Sequence, residues 1–390
     1  MPNPSFRSFV GIAKDSINTT LSAAVAVGAT TLPVVGTGIA ASSTVFIVDG
    51  PLSESRTVTA GGGTSSLTVS ALTNAHAANT YVYAQLTASV GPANYIPVTS
   101  LEFQDKYTQL DDKGYRGSNV DSYNRVQGVV NSEISLGGDL FTDTVGYLLG
   151  GIFGASDFTS GTPNTHAFSV KNTGNGQPTP FLIYDFDVTN TRVFSGSKLS
   201  ELAFKLDPSG LVSWTAKAQG MTSAVVSNPI QSYTNVNASP AWQAAATIGG
   251  TAIPTVVSAD VTIKRANDVV QTLDGTQNPY SIFVGPCSAS GSMTLVMEDD
   301  TQLLNYLQAS QPSLDLTLTT GTGATQQYFQ LHFTKCNFDS AVPKQTGKSY
   351  IELDVAFTAV ANTTDATTAG TGYSPLKATI KNALATGTYQ

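Results

Sequence analysis

Apolar and polar residues alternate in short runs along most of this chain, and only twice does the spacing lengthen to that of a helix. In LSELAFKLD, Leu202, Phe204 and Leu206 share one face, and GLVSWTAKAQG follows in the same rhythm. YFQLHFTKC repeats the pattern with Phe329, Leu331 and Phe333, and SYIELDVAFTAV with Ile351, Leu353, Val355 and Phe357. Period two predicts strands with one buried and one polar face. The first helical spacing sets Val145, Leu148, Leu149, Ile152 and Phe153 on one side, with Thr142 as N-cap and Gly154 as stop. The second lies in DDTQLLNYLQ, where Asp299 and Gln302 suit a capping box and Leu303, Leu304 and Leu307 form the apolar side.

These elements fall into a weak repeat. SEISLGGDL runs into the first helix and SGSMTLVME into the second. HAFSVKN and PFLIYDFD follow the first helix, SLDLTLTTG the second, and each copy closes on two of the alternating strands named above. One short helix amid many strands predicts a mainly β protein of two sandwich-like domains, each with a helix packed on it. Ser227 to Thr255 is the expected connector. Residues 20–87 have another texture, with TTLPVVG, STVFIVDG, SRTVTA, SSLTVSAL and NTYVYAQL separated by turns such as Gly61-Gly62-Gly63. They read as a small β-module inserted into the first domain. The expected division is therefore 1–19 with 88–235, the insert 20–87, and 236–390.

Residues 104–126 show neither period and are expected to form a long loop, either functional or simply a mobile surface segment. Tyr107, Tyr115, Arg116, Tyr123 and Arg125 are of the types enriched at binding hot spots. Four Lys or Arg balance four Asp there, which makes a poor phosphate binder.

Composition sharpens this picture. Of 390 residues 41% are hydrophobic and only 12% charged, which suits surfaces covered by other copies of the chain. A net charge of −8 speaks against a nucleic-acid grip. Cys287 and Cys336 make no disulfide framework, the start carries no signal-peptide pattern, and no apolar run is long enough to span a membrane.

Catalytic motifs fail on context. Gly36-Thr-Gly38-Ile-Ala-Ala41 follows a strand, but a dinucleotide site needs a helix after the glycines and none fits before the next strand. Ser195-Gly-Ser-Lys198 has the SxxK spacing but precedes a strand, where that chemistry wants a helix. Glu298, Asp299 and Asp300 are explained by a helix start. His76, His166 and His332 have no metal-ligand spacing, and His332, on a polar strand face, is expected to be exposed. No catalytic residue, cofactor or metal is expected.

FVGIAKDSI with YIPVTSLEF, the stretch ADVTIKRANDVVQTLDGTQNPYSIFVGPCSASGSMTLVMEDDTQLLNYL, and IELDVAFTAV resemble the tail tube proteins of siphovirus-type bacteriophages in their long, duplicated form. The likeness covers most of residues 5–19 and 92–362, and the insert is the departure. The resemblance implies a virion tail protein, assembled in the host cytoplasm, whose sheets join into a closed barrel ring. Stacked rings would form the conduit for DNA ejection, with passing DNA held only transiently. It implies as partners the chain itself, a tape measure protein and tail terminator or tip proteins, with no membrane. Three chains making a pseudo-six-fold ring are favoured, and six chains are the alternative. Glu352 and Asp354 are candidates to face the lumen, and residues 104–126 to reach a neighbouring ring or subunit. The alternative function is a virion-surface decoration or receptor-binding protein using the insert as an adhesin. A secreted polysaccharide hydrolase is a third and weaker reading.

Overall fold

Eight of the twelve strands of the largest sheet pair edge to edge in an order that explains the repeat seen in the sequence. A computed structural model describes residues 9–14, 16–48, 52, 54–85, 94–114, 116–186, 191–226, 234, 236–273, 277–345, 347 and 349–389. Strand β1 (Phe9–Lys14) leads into a six-stranded sheet made of β2 (Ser16–Thr20), β3 (Thr31–Pro33), β4 (Thr44–Val48), β5 (Glu54–Ala60), β6 (Ser66–Val69) and β7 (Tyr81–Gln85), ordered β2-β7-β4-β5-β6-β3. Leu21, Leu32, Ile39, Val45, Ile47, Leu67 and Val82 give it a core of its own. Its glycines serve turns: a Cβ on Gly62 would come within 2.1 Å of the Ala41 nitrogen. The chain returns through β8 (Asn94–Ile96), which pairs with β1.

A long hairpin follows, β9 (Ser100–Asp112) with β10 (Asn124–Asp139), then helix α1 (Val145–Phe153) and a hairpin of β11 (Gly154–Thr159) and β12 (Asn164–Val170). Next come β13 (Phe181–Phe186), β14 (Thr191–Leu206), β15 (Ser213–Gly220) and β16 (Ala224–Val226). Beyond β17 (Ala244–Ile248) and β18 (Thr251–Ala252) the succession recurs. A long hairpin of β19 (Val256–Val270) and β20 (Ser281–Val296) precedes α2 (Thr301–Leu307) and the hairpin β21 (Leu314–Thr320) and β22 (Gln327–Phe333). Then come β23 (Cys336–Lys344), β24 (Glu352–Ala359) and β25 (Lys377–Asn382).

Antiparallel pairing sets the order β9-β10-β15-β14 and, continuing in the same sheet, β19-β20-β24-β23. The N-terminal half of β14 leaves this array to pair with β13, which continues through β1 to β8. A second sheet runs β11-β12-β25-β22-β21-β17-β18. Ring contacts cross between the two sheets, with Phe204 and Phe329 centroids 5.1 Å apart and Phe333 and Phe357 5.7 Å apart. One continuous core contains residues of both halves of the chain, from Ile134 and Trp214 to Met293 and Ile380.

Several expectations need correction. Residues 104–126 are no structureless loop, since 104–112 and 124–126 belong to the β9–β10 hairpin. Part of the expected connector is β17, paired with β21. YFQLHFTKC and SYIELDVAFTAV are not neighbours: the first, as β22, lies in the second sheet, while β24 pairs with β20 and β23. Thr142 does not cap α1. Thr144 occupies the N-cap without a side-chain bond, and Asn382 Nδ2 and the Tyr389 hydroxyl donate instead to the carbonyls of Thr142 and Asp143, at 2.8 and 2.6 Å. Gly154 does end the helix, in the left-handed conformation that favours glycine. At α2 there is no capping box: Asp299 Oδ1 accepts from the Thr301 N–H at 2.9 Å, and Gln302 accepts from Asn305.

Candidate self-assembly surface

In the long sheet, alternation sends Leu136, Leu202, Phe204, Trp214, Val261, Met293 and Val355 inward. The opposite face carries Thr215, Thr262, Ser290 and Ser292, with charges held in pairs. Lys106 meets Glu133 at 3.1 Å, Glu201 takes both Lys217 and Lys264 at 2.9 and 3.5 Å, and Lys344 pairs with Asp354. Burial alone would raise the Glu201 carboxyl, but bonds from Lys217 and the two ammonium charges hold it below its usual range. This face is therefore hydroxyl-rich and close to neutral, its lysines largely met by carboxylates. Of the two carboxylates expected to face a lumen, Asp354 is on this face and also accepts from Thr294 at 2.9 Å. Glu352 is only 8% exposed, with the Tyr350 hydroxyl 3.5 Å from its Oε1.

The eight-strand array β9-β10-β15-β14-β19-β20-β24-β23 ends on two strands that have a ladder partner on one side only among the described residues: β9, paired with β10, and β23, paired with β24. Open edges of this kind invite pairing with another chain. Inward-facing Phe103 on β9 is 38% exposed, resting against the Phe194 ring at 5.0 Å. On β23, Val342, Pro343 and Lys344 are all exposed.

The hairpin β9–β10 extends as an arm. Tyr107 lies in β9, 47% exposed, and Arg125 in β10, where its Nε meets Asp111 at 2.8 Å. At the tip Arg116 pairs with Asp112 and its guanidinium lies 5.0 Å from the Tyr123 ring centre. The Tyr123 N–H donates to the Asp112 carbonyl at 2.8 Å. Tyr115 lies outside the described residues. Leu110, Val120, Val126 and Val129 are exposed along the arm, an apolar content that water alone does not explain. The bulge at Gln127/Val130 leans on the β19–β20 turn, where the Val130 N–H donates to the Gln277 carbonyl at 3.0 Å.

A family model described as phage tail tube protein matches residues 84–359. The chain belongs to that family. No curated protein matches it. The family places the protein in the virion tail as a structural, self-assembling subunit, and the match runs from the end of the six-stranded sheet through β24.

The other polar clusters of this tail tube protein are structural. Lys198 is buried with its Nζ donating to Gln177 Oε1 at 3.1 Å, and burial, then Arg265 and Lys171, push its ammonium down to about 8. Arg265 caps α1 from the far end, donating to the Ile152 carbonyl at 2.9 Å. Among the described residues no group of three His, Cys, Asp or Glu is placed to hold a metal, and both cysteines are free thiols. The expectation for His332 needs correcting too, since its side chain is half-buried, 2.5 Å from Asp315 and 3.6 Å from Asp365. The open edges themselves went unnoticed in the sequence. Pro343 beside Lys344 was the available signal, because proline and lysine guard strand edges.

Proposed function

We propose that this chain polymerises as stacked rings into the tail tube of a siphovirus-type phage, the conduit through which genomic DNA is ejected. The observation that carries the reading is the side-by-side recurrence of one four-strand unit, β9-β10-β15-β14 then β19-β20-β24-β23, with both outer edges open. The first unit already pairs its fourth strand with the first strand of the second. Repeating that contact between chains makes six units from three chains and leaves neither end of that eight-strand array exposed. The duplicated form and the division into 1–19 with 88–235, the insert 20–87 and 236–390 belong to this reading. The insert has its own core and hangs from β1 and β8, which suits a module on the tube's outside.

The near-neutral hydroxyl face, with Asp354 on it, is assigned to the bore, where weak contacts let DNA pass. Buried Glu352 is assigned a supporting position behind it. The arm with Tyr107, Arg116, Tyr123 and Arg125 reaches an adjacent subunit or ring, and Tyr115 is retained in that group from the sequence alone. A tape measure protein and terminator or tip proteins are the expected further partners, with assembly in the host cytoplasm and no catalytic step. Electron microscopy of the purified chain tests the proposal: hollow tubes with three chains per ring by mass are expected. A six-chain ring would sink the duplication, and failure to form any tube would sink the whole reading.

A further inference from the structure

The internal junction between the two units contains more than its order of strands, because it also fixes a register. The two units align on their second strands at Leu136 and Met293, each buried and each facing two neighbours. Leu136 is flanked by Leu101 and Ala216, and Met293 by Ala259 and Val355. Ala216 and Val355 in turn face Leu202 and Ala341 on the fourth strands. An independent feature supports this alignment: the fourth strand of each unit shifts register at the same place, between Leu199 and Glu201 in one and between Phe338 and Ser340 in the other. At the internal junction Leu202 opposes Ile263, Ala203 opposes Thr262, Phe204 opposes Val261 and Lys205 opposes Asp260.

We infer that the long sheet continues from β23 of one chain to β9 of the next in this same register, setting Val342 opposite Gln104, Pro343 opposite Phe103 and Lys344 opposite Glu102 of the neighbouring chain. The inference rests on the tube reading and gives it residues. Exposure supports it. Phe204 and Val261, which cover one another at the internal junction, are 1% and 0% exposed, whereas their counterparts Pro343 and Phe103 are exposed at the open edges. Charge supports it as well: lysine faces a carboxylate at the internal junction, Lys205 to Asp260, and would do so again, Lys344 to Glu102. Slipping the strands by one residue would put Lys344 opposite Phe103 and turn every side chain to the wrong face. Pro343 has no N–H, so the ladder there is at least one bond weaker than its internal counterpart. That guards the free subunit against premature pairing and leaves side chains to select the register.

The partner is thus a second copy of this chain, and the test is cross-linking within assembled tubes. Directly opposed residues of antiparallel strands have Cβ atoms about 4.5–5.5 Å apart, near disulfide range. A chain carrying Val342→Cys and Gln104→Cys is expected to give closed covalent trimers on oxidation, reversed by reductant. Val342→Cys with Glu102→Cys, displaced by two residues, is expected to give at least about tenfold less product at the diagonal separation. Single variants report any background from Cys287 and Cys336. Tubes that form normally but cross-link no better in the first variant than in the second overturn the register while leaving the tube reading intact. Absence of tubes from the unmodified chain overturns both. Covalent rings of six chains would uphold the register and sink the three-chain count. Charge reversal gives a second readout on exposed residues, with the melting temperature of each free variant as the folding control, because Lys344 also pairs with Asp354 of its own subunit. Lys344→Glu and Glu102→Lys should each block assembly, and the double variant should restore it. Failure of the double variant to assemble any better than the singles counts against the pairing.

Discussion

The fourth strand of the first unit is covered within the chain and that of the second is not. Helix α1 is buried on nearly every side, with Leu149, Ile152 and Phe153 inside and the Tyr389 ring closed over Gly146, where a Cβ would come within 2.6 Å of it. Helix α2, in the matching place, has no buried residue, and Leu304 and Leu307 are exposed. The fourth strands differ in the same sense, β14 covered by β19 and β23 open. Segments in matching places of the strand succession thus reach different burial: α1 is closed over by Tyr389 and β14 is paired with β19, while α2 and β23 have no such cover among the described residues.

The comparison breaks most visibly at the helices. Phe153→Ala is expected to destabilise the free subunit by about 3–5 kcal/mol, by lost transfer and a residual cavity. Leu307→Ala should cost less than about 0.5 kcal/mol, as surface changes do. Urea unfolding measures both, and a large loss at Leu307 would show that α2 is more enclosed than its exposure implies.

A smaller effect tests whether the two units are true structural equivalents. Where the first unit sets Ile134 against Ala218, the second sets Gly291 against Phe357. The large side chain has moved to the other strand, and a Cβ on Gly291 would lie 2.6 Å from the Phe357 ring and 2.4 Å from the Asp260 carbonyl. Gly291→Ile alone should cost about 1–3 kcal/mol by overpacking. Adding Phe357→Ala, which transplants the first unit's solution, should recover part of that loss. A double-mutant cycle without favourable coupling would refute the equivalence.

The smallest expected effect is in pH dependence, where the outer hairpins have opposite signs. His332, on β22, is held above its ordinary 6.5 by its bond to Asp315, against the opposing effect of burial. Its contribution is fully present below 6.5 and lost as pH rises through the raised value. His166, on β12, is held below 6.5 by burial, against bonds to Leu384 and Asn382, so its contribution is present above 6.5 and lost as pH falls through the lowered value. His332→Gln should remove a decline of Tm on the alkaline side and His166→Gln one on the acid side. The reverse assignment in thermal melts across pH 5 to 8 would contradict both environments. In the six-stranded sheet, burial favours the neutral Glu54 carboxyl, but bonds from Thr73, His76 and Asn74 outweigh it and hold its pKa at about 2. Its contribution is lost as pH falls from 4.5 towards 2.

Legibility in the sequence followed burial. The face Val145, Leu148, Leu149, Ile152, Phe153 was readable because a helix with one side in the core must repeat every 3.6 residues. The same applies to Leu202, Phe204 and Leu206 at period two. The arm was not readable, because most of β9 and the distal part of β10 are exposed and no alternation is imposed on them. Strand β25 was missed because its apolar signal is only Ala378 and Ile380, flanked by lysines. The N-cap of α1 is not legible either, because Thr144 stands there without a side-chain bond and the turn before it is held by Asn382 and Tyr389, far away in the chain.

The sequence by itself determined that the protein is mainly β, that a strand–helix–strand succession occurs twice, and that residues 5–19 and 92–362 resemble phage tail tubes. Each of these is written in local spacing or in short motifs. The tertiary structure alone decided that β22 and β24 part into different sheets, that 104–126 stands up as an arm, and that β9 and β23 are the open edges. Strand pairing joins residues far apart in the chain, and no local period records which edge finds its partner within the same molecule.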